Sequence, residues 1–168
     1  ALGSECFVPP INGADKKNVF AVRRLDDTKK IADVLPQGKN VIVIGGGVLG
    51  LEAAWELKKA KCHVTVLELA PVIMGRQLDE PAAELLKKIS ENQDIEIRTG
   101  VKIAAIEGDD FVSGIRMEDG EVLPADMVVV SCGIRANTAV AKDAGIEVDR
   151  SVVVNAKMET NVEDIYAC

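Results

Sequence analysis

Gly45, Gly47 and Gly50 stand between an aliphatic tetrapeptide and a run of helix formers, and this arrangement constrains the chain more than any other feature. Val41-Ile42-Val43-Ile44 is short and wholly apolar, the pattern of a parallel strand covered on both faces. Residues from the glycines to about position 60 include Leu51, Ala53, Ala54, Trp55 and Leu57. They end near Lys58, Lys59 and Lys61, where positive charge suits the carboxyl end of a helix. His63-Val64-Thr65-Val66-Leu67 is a second β-rich run, and it ends at Glu68. Strand, glycine turn, helix, strand is a βαβ unit, so the chain must build a parallel sheet.

The rest of the sequence extends that unit. A helix is predicted over 79–89, with Asp79 as its cap, Pro81 in its first turn, and Leu85, Leu86 and Ile89 at helical spacing. Ile95-Glu96-Ile97-Arg98 alternates as a strand does. Residues 101–106 and 111–117, with a turn at Glu118-Asp119-Gly120-Glu121, read as a β-meander that interrupts the strand–helix alternation. Met127-Val128-Val129-Val130 returns to the central sheet and ends at Ser131-Cys132-Gly133. Before the first strand, residues 1–38 are expected to be irregular, punctuated by Pro9, Pro10, Gly13, Pro36 and Gly38. One helix is predicted there, from 25 or 26 to about 35, with Asp26 as a candidate cap. Beyond the last sheet strand, a short helix is predicted over 138–144 and strands over 152–154 and 165–167. The predicted fold is an α/β, Rossmann-like three-layer domain with a central parallel sheet and an inserted antiparallel meander. Residues 1–168 form a single domain in this reading, with 1–38 and 138–168 as flanking segments.

Composition narrows the partners. The formal charge is −7 and only 3% of residues are aromatic, so neither a polyanion-attracting field nor a base-stacking platform is present, and nucleic acid is excluded as the main partner. No stretch approaches the ~20 apolar residues that span a bilayer, and the first residues lack a secretory pattern, so a soluble, cytoplasmic chain with no membrane partner is expected. Cys6, Cys62, Cys132 and Cys168 are scattered without a Cys-x-x-Cys pair, which predicts buried reduced thiols and no metal site.

The glycine spacing itself carries chemistry. Gly45-x-Gly47-x-x-Gly50 after a strand and before a helix is the dinucleotide-binding pattern. The first glycine makes the tight turn, the second leaves room for pyrophosphate, and the third lets helix and strand pack closely. In a net acidic chain the anion must be held by backbone N–H groups at the helix amino end. Glu68 ends the second strand close to the ~20-residue offset at which an acidic side chain bonds the adenosine ribose hydroxyls. A carboxylate there repels a 2′-phosphate, and Leu69-Ala70-Pro71 offers no cation to receive one, so NAD(H) is expected over NADP(H). Arg76 is a candidate for the adenine or the phosphates. Glu52 lies in the first helical turn, where a carboxylate suits the dipole. His63, Trp55 and the methionines are read as structural, and no catalytic acid, base or nucleophile is assigned.

From Val41 through Glu52 and from Val64 to Glu68, the chain resembles the NAD-binding domain of FAD-dependent pyridine nucleotide-disulfide oxidoreductases. Gly75-Arg76-Gln77-Leu78-Asp79 and Gly133-Ile134-Arg135-Ala136-Asn137 are similar to the branch that contains NADH:rubredoxin reductases, nitrite reductase flavoproteins and NADH oxidases. The resemblance implies that Gly45, Gly46, Gly47, Val48, Leu49 and Gly50 surround the pyrophosphate and that Glu68 binds ribose. It further implies backbone contacts from Gly133 and Ile134, and places Glu52 near the nicotinamide and flavin.

Ala1-Leu2-Gly3 and Tyr166-Ala167-Cys168 resemble the motifs by which the family's NAD domain is entered from and left for a flavin domain. A longer parent is therefore expected to hold FAD and pass hydride from NADH to it, with the final electron acceptor open, while this domain alone binds nucleotide without turnover. A non-catalytic NAD(H)-sensing module uses the same binding residues and stays open. A methyltransferase also carries a glycine loop after its first strand, but Val41 to Ile44 lacks the acidic residue such enzymes usually place before it.

Overall fold

The computed structural model describes residues 2–35 and 39–168, so Ala1 of the entering motif and the punctuating Pro36 and Gly38 lie outside the described residues. The chain divides into two compact units, residues 8–132 and a smaller one made of 1–7 and 133–168.

In the smaller unit, β1 (Ser4–Cys6) pairs with β10 (Ile134–Ala136) as an antiparallel ribbon. It also holds the short helix α4 (Ala139–Asp143) expected from sequence. The predicted strands at 152–154 and 165–167 do not form. Only isolated bridges Val148–Val152 and Glu159–Tyr166 appear, because neither segment has a partner long enough for a ladder.

The larger unit contains β2 (Val19–Ala21), α1 (Leu25–Val34), β3 (Asn40–Ile44), α2 (Val48–Lys59), β4 (His63–Glu68), α3 (Glu80–Glu91), β5 (Ile95–Thr99), β6 (Ile103–Glu107), β7 (Gly114–Met117), β8 (Val122–Pro124) and β9 (Met127–Val130). Five strands form one parallel sheet in the order β2-β9-β3-β4-β5, with β3 at its centre. Alternate residues face opposite layers. Val41, Val43, Val64, Val66, Met127 and Val129 pack with Ala54 and Leu57 of α2, with Ile31 and Leu86 from α1 and α3 beside them. Ile42, Ile44, Leu67, Val128 and Val130 pack instead with Ile106, Val112 and Ile115 of the antiparallel β6-β7-β8 meander and its turns. Helices, sheet and meander are the three layers.

Several expectations need correction. Val19–Ala21 is an edge strand of the sheet rather than irregular chain, because it finds Val128–Val130 as a partner. Asp27, not Asp26, ties down the start of α1: its Oδ2 accepts the N–H groups of Arg23 at 3.0 Å and Arg24 at 2.8 Å. Those two bonds, Arg24's first, hold the Asp27 carboxyl below its ordinary range. Asp79 caps α3 as expected, accepting the Ala82 N–H at 3.0 Å, but Leu85 and Ile89 lie 60% and 52% exposed while Leu86 faces the core. Of the cysteines only Cys62 is buried; Cys6 and Cys132 are partly covered and Cys168 is exposed.

Candidate functional site

The glycine turn joins the carboxyl end of β3 to the first turn of α2, beside the end of its neighbour β9. In open α/β sheets ligands bind at the carboxyl ends of the parallel strands, where this turn lies. The turn is held by its backbone. Gly45 N–H donates to the Leu67 carbonyl at 2.8 Å, and Ser131 N–H donates to the Ile44 carbonyl at 2.8 Å. Gly45 has φ +114, which side chains other than glycine rarely adopt, and a Cβ there would lie 2.3 Å from the Ser131 carbonyl oxygen. A Cβ at Gly50 would lie 2.0 Å from the Gly45 carbonyl oxygen, so α2 can approach β3 only with glycine at that place.

Gly47 differs from both. It is the N-cap of α2 with φ −81 and ψ −176, a conformation open to any residue, and a Cβ there meets nothing within 4 Å. The space over it is open at the end of the helix where the first N–H groups, from Val48 and Leu49, have no carbonyl one turn back within the helix. Val48 and Leu49 are exposed.

Glu68 sits at the end of β4, partly buried. Its Oε2 accepts the Gly46 N–H at 2.6 Å and its Oε1 accepts the Ala70 N–H at 2.8 Å. No lysine or arginine pairs with it among the described residues. Behind the turn, Gly46 packs on Ile73, and its carbonyl accepts the Met74 N–H at 2.9 Å. Arg76 follows two residues later in the same turn, exposed and without an ion-pair partner among the described residues. Glu52 is exposed on α2 past its first turn, which holds no acidic residue, so the expected place in the first turn is corrected. Cys132, just past β9, donates its thiol to the Ile44 carbonyl at 3.5 Å. Burial, and then the Glu68 charge, push its pKa up to about 11.

The structure therefore brings Gly45, Gly46, Gly47, Val48, Leu49, Gly50 and Glu68 together and hangs the turn carrying Arg76 from Gly46. Gly133 and Ile134 belong to the smaller unit: Gly133 has φ +98 and its carbonyl accepts the Phe7 N–H at 2.9 Å, while Ile134 is exposed in β10. Sequence reasoning missed Ser131, Ile73 and Met74, which shape the turn through backbone and packing and carry no motif. No cluster of metal-ligating side chains occurs among the described residues, and no helix among them is long and apolar enough to cross a membrane.

These residues fit a dinucleotide. The open space at Gly47, the helix N–H groups below it and a carboxylate at the neighbouring strand end are the three parts such a ligand needs.

The family model described as pyridine nucleotide-disulphide oxidoreductase matches residues 1–168. A nitrite reductase (NAD(P)H) of Bacillus subtilis is 44% identical over 167 residues, covering 99% of this chain and 21% of the relative. An NADH oxidase of Methanocaldococcus jannaschii is 36% identical over 170 residues, covering 99% of this chain and 38% of the relative. This chain thus spans well under half of the length of either. Among solved structures, the NAD-dependent persulfide reductase from A. fulgidus superposes with a TM-score of 0.91 at 29% identity over 98% of this chain and 31% of its own. The reductase of the covalent putidaredoxin reductase–putidaredoxin complex gives 0.90 at 30% identity, over 98% and 41%.

Proposed function

The chain belongs to the pyridine nucleotide-disulphide oxidoreductase family, and from that premise we propose that it is the NADH-binding domain of a longer cytoplasmic FAD-dependent oxidoreductase. The observation that carries the reading is the unfilled space at Gly47 above the start of α2, with the Glu68 carboxylate at the neighbouring strand end. Family membership sets the methyltransferase reading aside.

In this proposal the N–H groups of Gly47, Val48 and Leu49 and the dipole of α2 receive the pyrophosphate, so neutral backbone overcomes the repulsion of a chain with charge −7. Glu68 accepts the ribose hydroxyls through the lone pairs that Gly46 and Ala70 leave free, and it disfavours a 2′-phosphate. Arg76 is assigned to the adenine half and Glu52 to the nicotinamide half. When bound, the nicotinamide supplies a hydride to FAD held by the rest of the parent; the protein's part is binding and orientation.

Two facts support a parent. The curated relatives are much longer than this chain. The smaller unit leaves Leu2, Ile134, Val140 and Tyr166 exposed and buries, of its hydrophobic residues among those described, only Ala141, so these apolar side chains fit a unit covered by more protein. Relatives include a nitrite reductase, an assimilatory nitrate reductase electron transfer subunit and a nitric oxide reductase FlRd-NAD(+) reductase, each named for a different chemistry.

Calorimetric titration of the purified chain with NADH and then NADPH at fixed salt tests the proposal. Saturable binding that favours NADH supports it; no binding of either nucleotide overturns it.

A further inference from the structure

Glu68 makes two contacts that ribose recognition does not require. Through Oε2 and the Gly46 N–H, at 2.6 Å, it ties the end of β4 to the glycine turn 22 residues earlier in the chain. Through Oε1 and the Ala70 N–H, at 2.8 Å, it fixes its own carboxylate plane. The peptide on the other side of Gly46 is held as well, because its carbonyl accepts the Met74 N–H at 2.9 Å. Gly46 is buried between these ties, and a Cβ on it would come within 2.8 Å of Ile73 and 3.1 Å of the Glu68 side chain. Both peptides that precede Gly47 are thus clamped, one by a charged acceptor and one by a backbone donor.

We propose that Glu68, beyond binding ribose in the NAD(H) reading on which this inference rests, is a positioning residue for the pyrophosphate turn. It acts by holding the Gly46 N–H and so pre-setting the N–H groups from Gly47 onward. A charge-assisted hydrogen bond to a buried N–H is among the stronger kinds. Without the carboxylate the Gly46 N–H loses its charged acceptor, and water or a reoriented turn must replace it, either of which leaves the turn less firmly set. A turn already held in its anion-binding form binds more tightly because less ordering remains to be done on binding.

The experiment separates the two roles with ligands that differ only at the ribose. ADP presents both hydroxyls to Glu68, whereas 2′,3′-dideoxy-ADP presents none and reaches the site through its diphosphate and base. Affinities for both are measured by calorimetry on the wild-type chain, Glu68→Ala and Glu68→Gln, with circular dichroism and Tm recorded for each. If Glu68 only binds ribose, Glu68→Ala brings ADP down to the dideoxy level and leaves dideoxy-ADP where it was. If it also positions the turn, dideoxy-ADP weakens by about tenfold, the worth of one charge-assisted bond. Removing a carboxylate also lifts a repulsion on the diphosphate, so plain electrostatics moves the affinity the opposite way.

Glu68→Gln retains one oxygen acceptor but turns an amide nitrogen toward the other N–H, and an intermediate loss is expected. Should the alanine variant fail to fold, the glutamine variant decides by the same comparison. Unchanged dideoxy-ADP affinity in folded variants overturns the positioning role while the NAD(H) reading stands. Failure of ADP to bind the wild-type chain overturns both.

Discussion

Gly50 is seated so closely on Gly45 that a side-chain carbon at position 50 would lie 2.0 Å from the Gly45 carbonyl oxygen. This contact is between backbone atoms of α2 and the end of β3, so it cannot be relieved by a rotamer change. Gly50→Ala is expected to destabilise the chain by about 2–3 kcal/mol, a fall in Tm of roughly 5–10 °C for a domain of this size. Thermal unfolding by circular dichroism reads it; an unchanged Tm would show that α2 can back away from the sheet freely.

Gly47→Val is the converse case. Position 47 is extended and open, so the fold tolerates a side chain there, but the valine methyl groups fill the space assigned to pyrophosphate. Tm is expected to stay near wild type while NADH binding is lost. Retained affinity would remove the site.

For Glu68→Ala the ratio of NADPH to NADH dissociation constants is expected to narrow by about tenfold, since one charged acceptor distinguishes a hydroxyl from a phosphate. A ratio that does not move would place cofactor choice elsewhere in the crevice.

Cys132 provides a pH test. Its thiol is held up to about 11 by burial and by the Glu68 charge, so the folded chain keeps the proton at pH values where the unfolded chain loses it. Deprotonation then favours the unfolded state. The Cys132 contribution to stability is intact below the ordinary thiol range near ~8.5 and is lost as pH rises toward about 11. Urea unfolding at pH 8 and pH 10.5 should show a fall in stability that Cys132→Ala reduces. An identical fall in the variant would assign it to other groups.

The helix that follows β4 gives a smaller effect. Asp79 accepts the Ala82 N–H at the start of α3, and Asp79→Ala is expected to cost about 1 kcal/mol by denaturant unfolding.

What was legible in the sequence was what local pattern decides. The aliphatic runs that became β3 and β9 are buried on both faces, and β4 buries Val64 and Val66 on one face and Leu67 on the other, so all three could be read without knowing their neighbours. The three glycines were readable because each answers to its own backbone geometry. Val19–Ala21 was not, because three ordinary residues become a strand only through Val128–Val130, more than a hundred positions away. The opposite error at 152–154 and 165–167 has the same origin: β propensity without a partner gives a bridge and no ladder. Asp26 and Asp27 are equivalent as letters, and only the direction of the chain entering α1 selects the second. At the site, Glu68 was visible as a carboxylate at the right offset, but its grip on Gly46 was not, since hydrogen bonds between a side chain and a distant backbone leave no mark in composition or spacing.

The strand order β2-β9-β3-β4-β5 also sets a timetable for synthesis. Met127–Val130 is the strand that joins Val19–Ala21 to the rest of the sheet. At translation speeds of ~5–20 residues per second, the interval between delivery of these two strands lasts on the order of 5–20 s. Within it, from the making of His63–Glu68 until Met127–Val130 arrives, the aliphatic edge of Asn40–Ile44 can have a neighbour on one side only, and an unpaired strand edge of that kind is what makes a nascent chain prone to aggregate.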